Sequence, residues 1–237
     1  MKSNFENKLI LITGGTRGIG LETAKLLHSF GAEVIVTGTK DFTDYENPFL
    51  EKINYNKCDI SIHQEIVDTY DLIKSNWRTP DILINNAGVF KIEDFTKTSV
   101  NDLNLMMDVN FKGSYFTTQL IVNDMLKLKK GKILNVISVA ATKSFQGSSV
   151  YCASKAAQKA YCEVLREEVR NHGIDVINVY PGGTETDIWD KSTAHERVGK
   201  MMEAKDVAFG ILSALNTSYN ERMILEDVVL RPKKGDL

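Results

Sequence analysis

The sequence has no surplus of charge of either sign. Its 29 Lys and Arg stand against 31 Asp and Glu, a formal net charge of −2. Nucleic-acid binders usually gather a basic surplus on one face, so a nucleic-acid partner is not expected. No apolar run approaches the roughly 18 residues of a membrane span, and no membrane partner is expected either. Met1 to Lys8 lack the apolar stretch and cleavage site of a secretory leader. Cysteine is scarce: Cys58, Cys152 and Cys162 form no Cys-x-x-Cys pair and leave one thiol over in any disulfide scheme. The four histidines are scattered and add no metal-ligand spacing. With these absences neither a disulfide scaffold nor a structural metal module is expected, and a reducing cytoplasm is the expected compartment.

What is present is an average globular profile: 237 residues, 43% hydrophobic and 25% charged. A chain of that length buries well over half of its unfolded surface and needs no staples. Short, nearly continuous apolar runs (Leu9 to Ile12, Val34 to Val36, Ile82 to Ile84, Ile133 to Ile137, Ile174 to Val179) read as strands covered on both faces. Between them apolar residues recur at helical spacing, as in Ile62, Ile66, Tyr70, Ile73 and Trp77, in Ile19, Thr23, Leu26 or Leu27 and Phe30, and in Val207, Ile211 and Leu215. Strand alternating with helix predicts one α/β domain over residues 1–237. Its sheet is doubly wound and parallel, joined by right-handed crossovers, with helices on both faces. Pro48, Pro80, Pro181 and Pro232 fall in the loops and strand ends of this scheme. About a dozen residues, Asp41 to Lys52, separate the second strand from the third, too few for a full crossover helix. A loop with a short helical turn is expected there.

The first strand runs into Thr13-Gly14-Gly15-Thr16-Arg17-Gly18-Ile19-Gly20, which opens the first amphipathic helix. That context suits a phosphate cradle. Gly14 permits a tight turn, Gly18 lets backbone N–H groups approach a pyrophosphate, and Gly20 lets the helix sit close to the sheet. The spacing differs from the common dinucleotide GxGxxG and resembles the TGxxxGIG motif of the short-chain dehydrogenase/reductase family, whose fold is of the Rossmann type. Further motifs follow in the family's order. Asn85-Asn86-Ala87-Gly88 resembles NNAG, and Asn110 lies where the family carries an Asn in a long connecting helix. Ser138 ends the fifth strand, thirteen residues before Tyr151-Cys152-Ala153-Ser154-Lys155, which resembles YxASK. Pro181-Gly182-Gly183-Thr184-Glu185-Thr186 resembles PGxxxT. The resemblance covers about residues 8 to 190, with each motif at or just beyond the C-terminal end of a predicted strand, where open α/β sheets bind ligands.

Tyr151 and Lys155 are four apart on a predicted helix and share a face. A free tyrosine titrates near about 10, and a neighbouring ammonium is expected to lower that value. The resemblance implies that Tyr151 is the general acid when a carbonyl is reduced and that Lys155 also binds the nicotinamide ribose. It implies that Ser138 orients the substrate oxygen and that Asn110 interrupts its helix and holds a water linking Lys155 to solvent. For the dinucleotide it implies contacts from Gly14, Thr16, Arg17, Gly18, Ile19 and Gly20, and from Asn86, Ala87 and Gly88. Asp59 and Ile60 are expected at the adenine, Pro181, Gly182 and Thr184 along the cofactor, and Thr186 at the carboxamide. Cys152 and Cys162 are assigned no chemistry.

NAD-specific members place an acid at the end of the second strand to bond the ribose 2′-hydroxyl. Gly38 falls there, followed by Thr39 and Lys40, and Arg17 is close in the glycine turn. These residues favour NADP(H), with NAD(H) left open. The segment at 188–204 is expected to form the substrate loop, and Met223 to Pro232 resembles the tail of sepiapterin-reductase-like small-carbonyl reductases. A small-molecule carbonyl or alcohol is the expected substrate. Ala153, Ala156, Ala157 and Ala160 allow another subunit to approach, so a homodimer or homotetramer is expected. Two alternatives stay open: an NAD-dependent alcohol dehydrogenase of the same fold, and a non-catalytic dinucleotide sensor.

Overall fold

A computed structural model describes residues 5–189, 199–216 and 223–235. Leu9, Ile10, Leu11 and Ile12 form the first strand, β1, and all four are buried. Their side chains part by turns: Ile10 and Ile12 enter one core, Leu9 and Leu11 another. That period-two division, with both halves apolar, is what a strand covered on both faces requires.

Around β1 lie β2 (Glu33–Gly38), β3 (Asn54–Lys57), β4 (Ile82–Asn85), β5 (Gly131–Val136) and β6 (Ile174–Pro181). Two-residue strands β7 (Thr184–Glu185) and β8 (Met202–Glu203) pair with each other, and β9 (Asp227–Leu230) completes the main sheet. The seven strands run parallel in the order β3-β2-β1-β4-β5-β6-β9. The fold is the doubly wound, Rossmann-like sheet expected from the alternating pattern. Helices α1 (Gly18–Ser29) and α6 (Ala204–Leu215) cover one face through Leu21, Leu27, Val207 and Ile211. On the other face, α2 (His63–Asn76), α4 (Ser114–Leu128) and α5 (Ser149–Val169) bring Ile73, Ile121, Met125 and Cys162. Helix α3 (Val100–Met107) leads into α4. Among the described residues no helix is long and apolar enough to cross a membrane.

The short second crossover has no α-helix, as its length predicted, but holds two 3-10 turns, Phe42–Asp44 and Pro48–Lys52, where one was expected. Two details differ from the sequence reading. Ile62 is exposed at the N-cap of α2 and leaves the buried stripe to Ile66, Tyr70 and Ile73. Ser138 lies two residues beyond β5 and caps a 3-10 turn over Val139–Ala141. Strand order reverses between β1 and β4, so a crevice opens outside their carboxyl ends.

Candidate active site

One cavity of about 370 Å³ occupies that crevice. Its floor is the turn between β1 and α1. Gly14 has φ +63°, and a Cβ there would stand 2.8 Å from the Ala87 Cα, so the turn and the loop after β4 close up only on glycine. Asn86 stitches the two together: its Nδ2 donates to the Thr13 and Gly14 carbonyls at 3.0 and 2.9 Å. The Thr13 hydroxyl accepts from the N–H groups of Asn86 and Ala87, each at 3.1 Å. Arg17 is the N-cap of α1 and makes no side-chain cap bond, which leaves the first N–H groups of the helix facing the cavity beside Gly18 and Ile19. Across the gap stands Thr186, whose Cγ2 would be 3.2 Å from a Cβ on Gly18. Thr16 and Gly20 support the turn without lining the cavity, whereas Pro181, Gly182 and Thr184 line it from the end of β6.

On the opposite wall α5 presents Tyr151 and Lys155. Ser138 lines the same wall beside Tyr151, and its Oγ accepts from the Ala140 N–H at 3.1 Å. Phe90 meets Tyr151 edge to face at 4.7 Å and Trp189 at 5.1 Å, an apolar wall beside the phenol. Burial pushes Tyr151 up to about 12, and the nearby Ser138 hydroxyl offsets only part of that. The expected lowering of Tyr151 by Lys155 is therefore absent here. The reason is geometric: Lys155 Nζ donates to the Val136 carbonyl at 3.1 Å and to Gln158 Oε1 at 2.9 Å. Burial pulls Lys155 down to about 8.

Asn110 is fully buried in a π-helical segment, Asp108–Gly113, between α3 and α4. The interrupted helix expected at this residue is thus observed. Its amide bonds the Val89 main chain both ways, with Oδ1 accepting at 2.8 Å and Nδ2 donating at 2.9 Å, and Nδ2 also donates to Ser154 Oγ at 3.0 Å. Asn110 thereby ties the loop after β4 to α5, and with it the spacing between Gly88 and Lys155.

These motifs, in this order around one crevice, match a known family. Residues 8–197 fit the family model described as short chain dehydrogenase. The chain belongs to that family. It is 32% identical over 241 residues to a sepiapterin reductase of Chlorobaculum tepidum, covering 97% of this chain and 98% of that protein. Among solved structures, ElxO with NADP bound superposes with a TM-score of 0.82 at 25% identity, covering 94% of this chain and 96% of that one. A closed serine dehydrogenase complexed with NADP+ reaches 0.88 at 23% identity over 97% and 96%, a likeness of fold.

The residues expected at the adenine end do not line the cavity. Thr39 and Lys40 are exposed and do not line the cavity. The Asp59 carboxylate accepts from the Ser61 N–H and hydroxyl at 2.9 and 2.7 Å, and Ile60 is buried against Gly113. Arg17 is exposed and reaches the Asp187 carbonyl at 3.5 Å. Within the substrate segment Trp189 lines the cavity and Met202 packs on the core, while His195 lies outside the described residues. Two residues at the site escaped the sequence reading: Phe90, which lines the cavity, and Gln158, which bonds Lys155. Phe90 carries no spacing signal, because it arrives from a loop. Gln158 does carry one, three residues after Lys155 on the same helix.

Proposed function

We propose that this protein is an NADP(H)-dependent reductase of small carbonyl compounds, with Tyr151 as the general acid. The observation that carries the reading is the meeting of Ser138, Tyr151 and Lys155 with the glycine turn in one cavity. The cavity fits a dinucleotide, since a Cβ on Gly18 would crowd Thr186 across its mouth and the N-terminus of α1 offers N–H donors to a pyrophosphate. When bound, the nicotinamide supplies or accepts the hydride. Gly18, Ile19 and Thr186 hold the dinucleotide, and Lys155 reaches its ribose. Ser138 orients the substrate oxygen and Tyr151 delivers the proton to it. Burial keeps the phenol protonated through the neutral range, the form that donates. Phe90 and Trp189 exclude water beside it. The C. tepidum relative supports small-carbonyl reduction, and ElxO with NADP bound supports the choice of dinucleotide.

A screen of aldehydes and ketones, read as loss of NADPH absorbance, tests the activity. Tyr151→Phe should retain NADPH binding and lose roughly 10²–10⁴-fold in kcat. Unchanged turnover would remove Tyr151 from the role, and tighter binding of NADH than of NADPH would overturn the cofactor assignment.

A further inference from the structure

Gln158 is fully buried in the middle of α5, where an apolar residue would pack without penalty. Its Nε2 has no hydrogen-bond partner, so half of the amide is desolvated with nothing in return. The other half is engaged: Oε1 accepts from Lys155 Nζ at 2.9 Å. The i,i+3 spacing puts the two on one face, and an ammonium can only donate, which fixes the amide orientation.

Lys155 is itself only 3% exposed. Its ammonium bonds two neutral dipoles, Gln158 Oε1 and the Val136 carbonyl at the end of β5. Among the described residues it forms no ion pair. Tyr151 and Cys162 flank it on its own helix. The elements packed against it bring groups that do not titrate: Val136 from β5, Gly88 from the loop after β4 and Asn110 from the π segment. Whatever keeps this lysine charged therefore comes from few atoms, and Gln158 supplies one of them.

We infer that Gln158 is a positioning residue: its amide oxygen pins the Lys155 ammonium against the end of β5 and keeps it cationic one turn from Tyr151. The contact is independent of which dinucleotide binds. Its consequence for the pH range of dinucleotide binding and turnover rests on the proposed function. An acceptor on the charged form favours that form, so removing it lowers the titration midpoint of Lys155 and replacing it with a carboxylate raises it.

The test reads Lys155 directly. NMR of the dinucleotide-free protein with 13Cε-labelled lysine follows the resonance that disappears in Lys155→Met. Gln158→Met should move the midpoint down and Gln158→Glu should move it up, each by about one pH unit, a tenfold change in the charged-to-neutral ratio. Shifts of one sign in both variants, or none in either, overturn the inference. If Gln158→Met does not fold, Gln158→Glu decides alone: an upward shift supports the inference and its absence overturns it. Calorimetric titration with NADPH at neutral and alkaline pH separates this inference from the proposed function. Gln158→Glu should keep a larger share of its neutral-pH affinity at alkaline pH than the wild type does. Midpoints that move as expected in a protein that binds no NADPH would leave Gln158 in its role and remove the cofactor assignment.

Discussion

Lys155 sits in the core of the site at a cost to the fold. An ammonium taken out of water with only two neutral acceptors is poorly compensated, and its depressed value of about 8 measures that penalty. The unfolded chain titrates this group at the ordinary lysine value of 10.5, so between the two values the unfolded state binds more protons. Stability from this group therefore rises with pH through that window, and the penalty is fully present below it. Lys155→Met should stabilise the protein at neutral pH by roughly 1–3 kcal/mol while weakening dinucleotide binding. Urea unfolding of both proteins across pH 7 to about 10 should show the gap close at the alkaline end. A variant less stable than the wild type at neutral pH would mean that the lysine packs better than it desolvates. Ser138, Tyr151 and Lys155 were legible in the sequence because their chemistry resides in residue type at fixed spacing. The direction of each pKa was not. Spacing says which residues share a helix face, but the end of β5 and the middle of α5 decide where Nζ points.

Elements were legible where burial on both faces left an apolar run, as in β1, β2, β4, β5 and β6. The edge strands carry no such run, although the sequence places the third after Lys52. β3 reads Asn-Tyr-Asn-Lys and is only partly buried, and β9 alternates between exposed and half-buried residues. Neither has the two covers that make a run conspicuous. The middle of the sheet carries a polar row that periodicity also passes over. Asn85 Nδ2 donates to Asn135 Oδ1 at 2.9 Å, Asn135 to Asn178 at 3.1 Å, and Asn178 to Asp227 at 3.2 Å, in register across β4, β5, β6 and β9. Arg166 closes the row on Asp227. A slip of any of these strands would break the chain of bonds, so the row fixes register where aliphatic side chains alone would not. At the other edge the short second crossover folds Tyr45 back over β2. Its hydroxyl accepts from the Lys40 N–H at 3.2 Å, and its ring lies 5.5 Å from Tyr55. A Cβ on Gly38 would be 2.5 Å from that hydroxyl and 2.8 Å from Thr16 Cγ2. The acid that confers NAD preference thus has no room here. Gly38→Asp alone should destabilise the protein and fail to bind NADH. Gly38→Asp with Tyr45→Ala should recover part of the stability and gain NADH affinity relative to the single variant. Fluorescence titration with both dinucleotides checks this, and NADH binding by Gly38→Asp alone would show that Tyr45 gives way freely.

At the scale of the whole molecule, the outer face of α5 is smooth and apolar for most of its length. Ala153, Ala156 and Ala160 are exposed at helical spacing, followed by Val164, which is 58% exposed. Tyr115 of α4 packs edge-on to Tyr161 at 5.4 Å and is itself partly exposed, which widens the face. Small side chains in a row let another helix approach closely, and a two-fold axis would lay this face on its own copy. We therefore expect an association of two or four copies through α4 and α5 in solution. The cavity-lining face of α5 points the other way, so the interface would brace the helix that carries Tyr151 and Lys155 without covering the cavity. Glutamate is a good helix former, and Ala160 has no buried contacts to lose, so Ala160→Glu should fold normally. On a two-fold axis its charge is introduced twice into one apolar face, and light scattering at micromolar concentration should show the mass fall to that of a single chain. A wild type that is already monomeric under those conditions would sink the expectation. An Ala160→Glu protein of unchanged mass would move the interface to another surface.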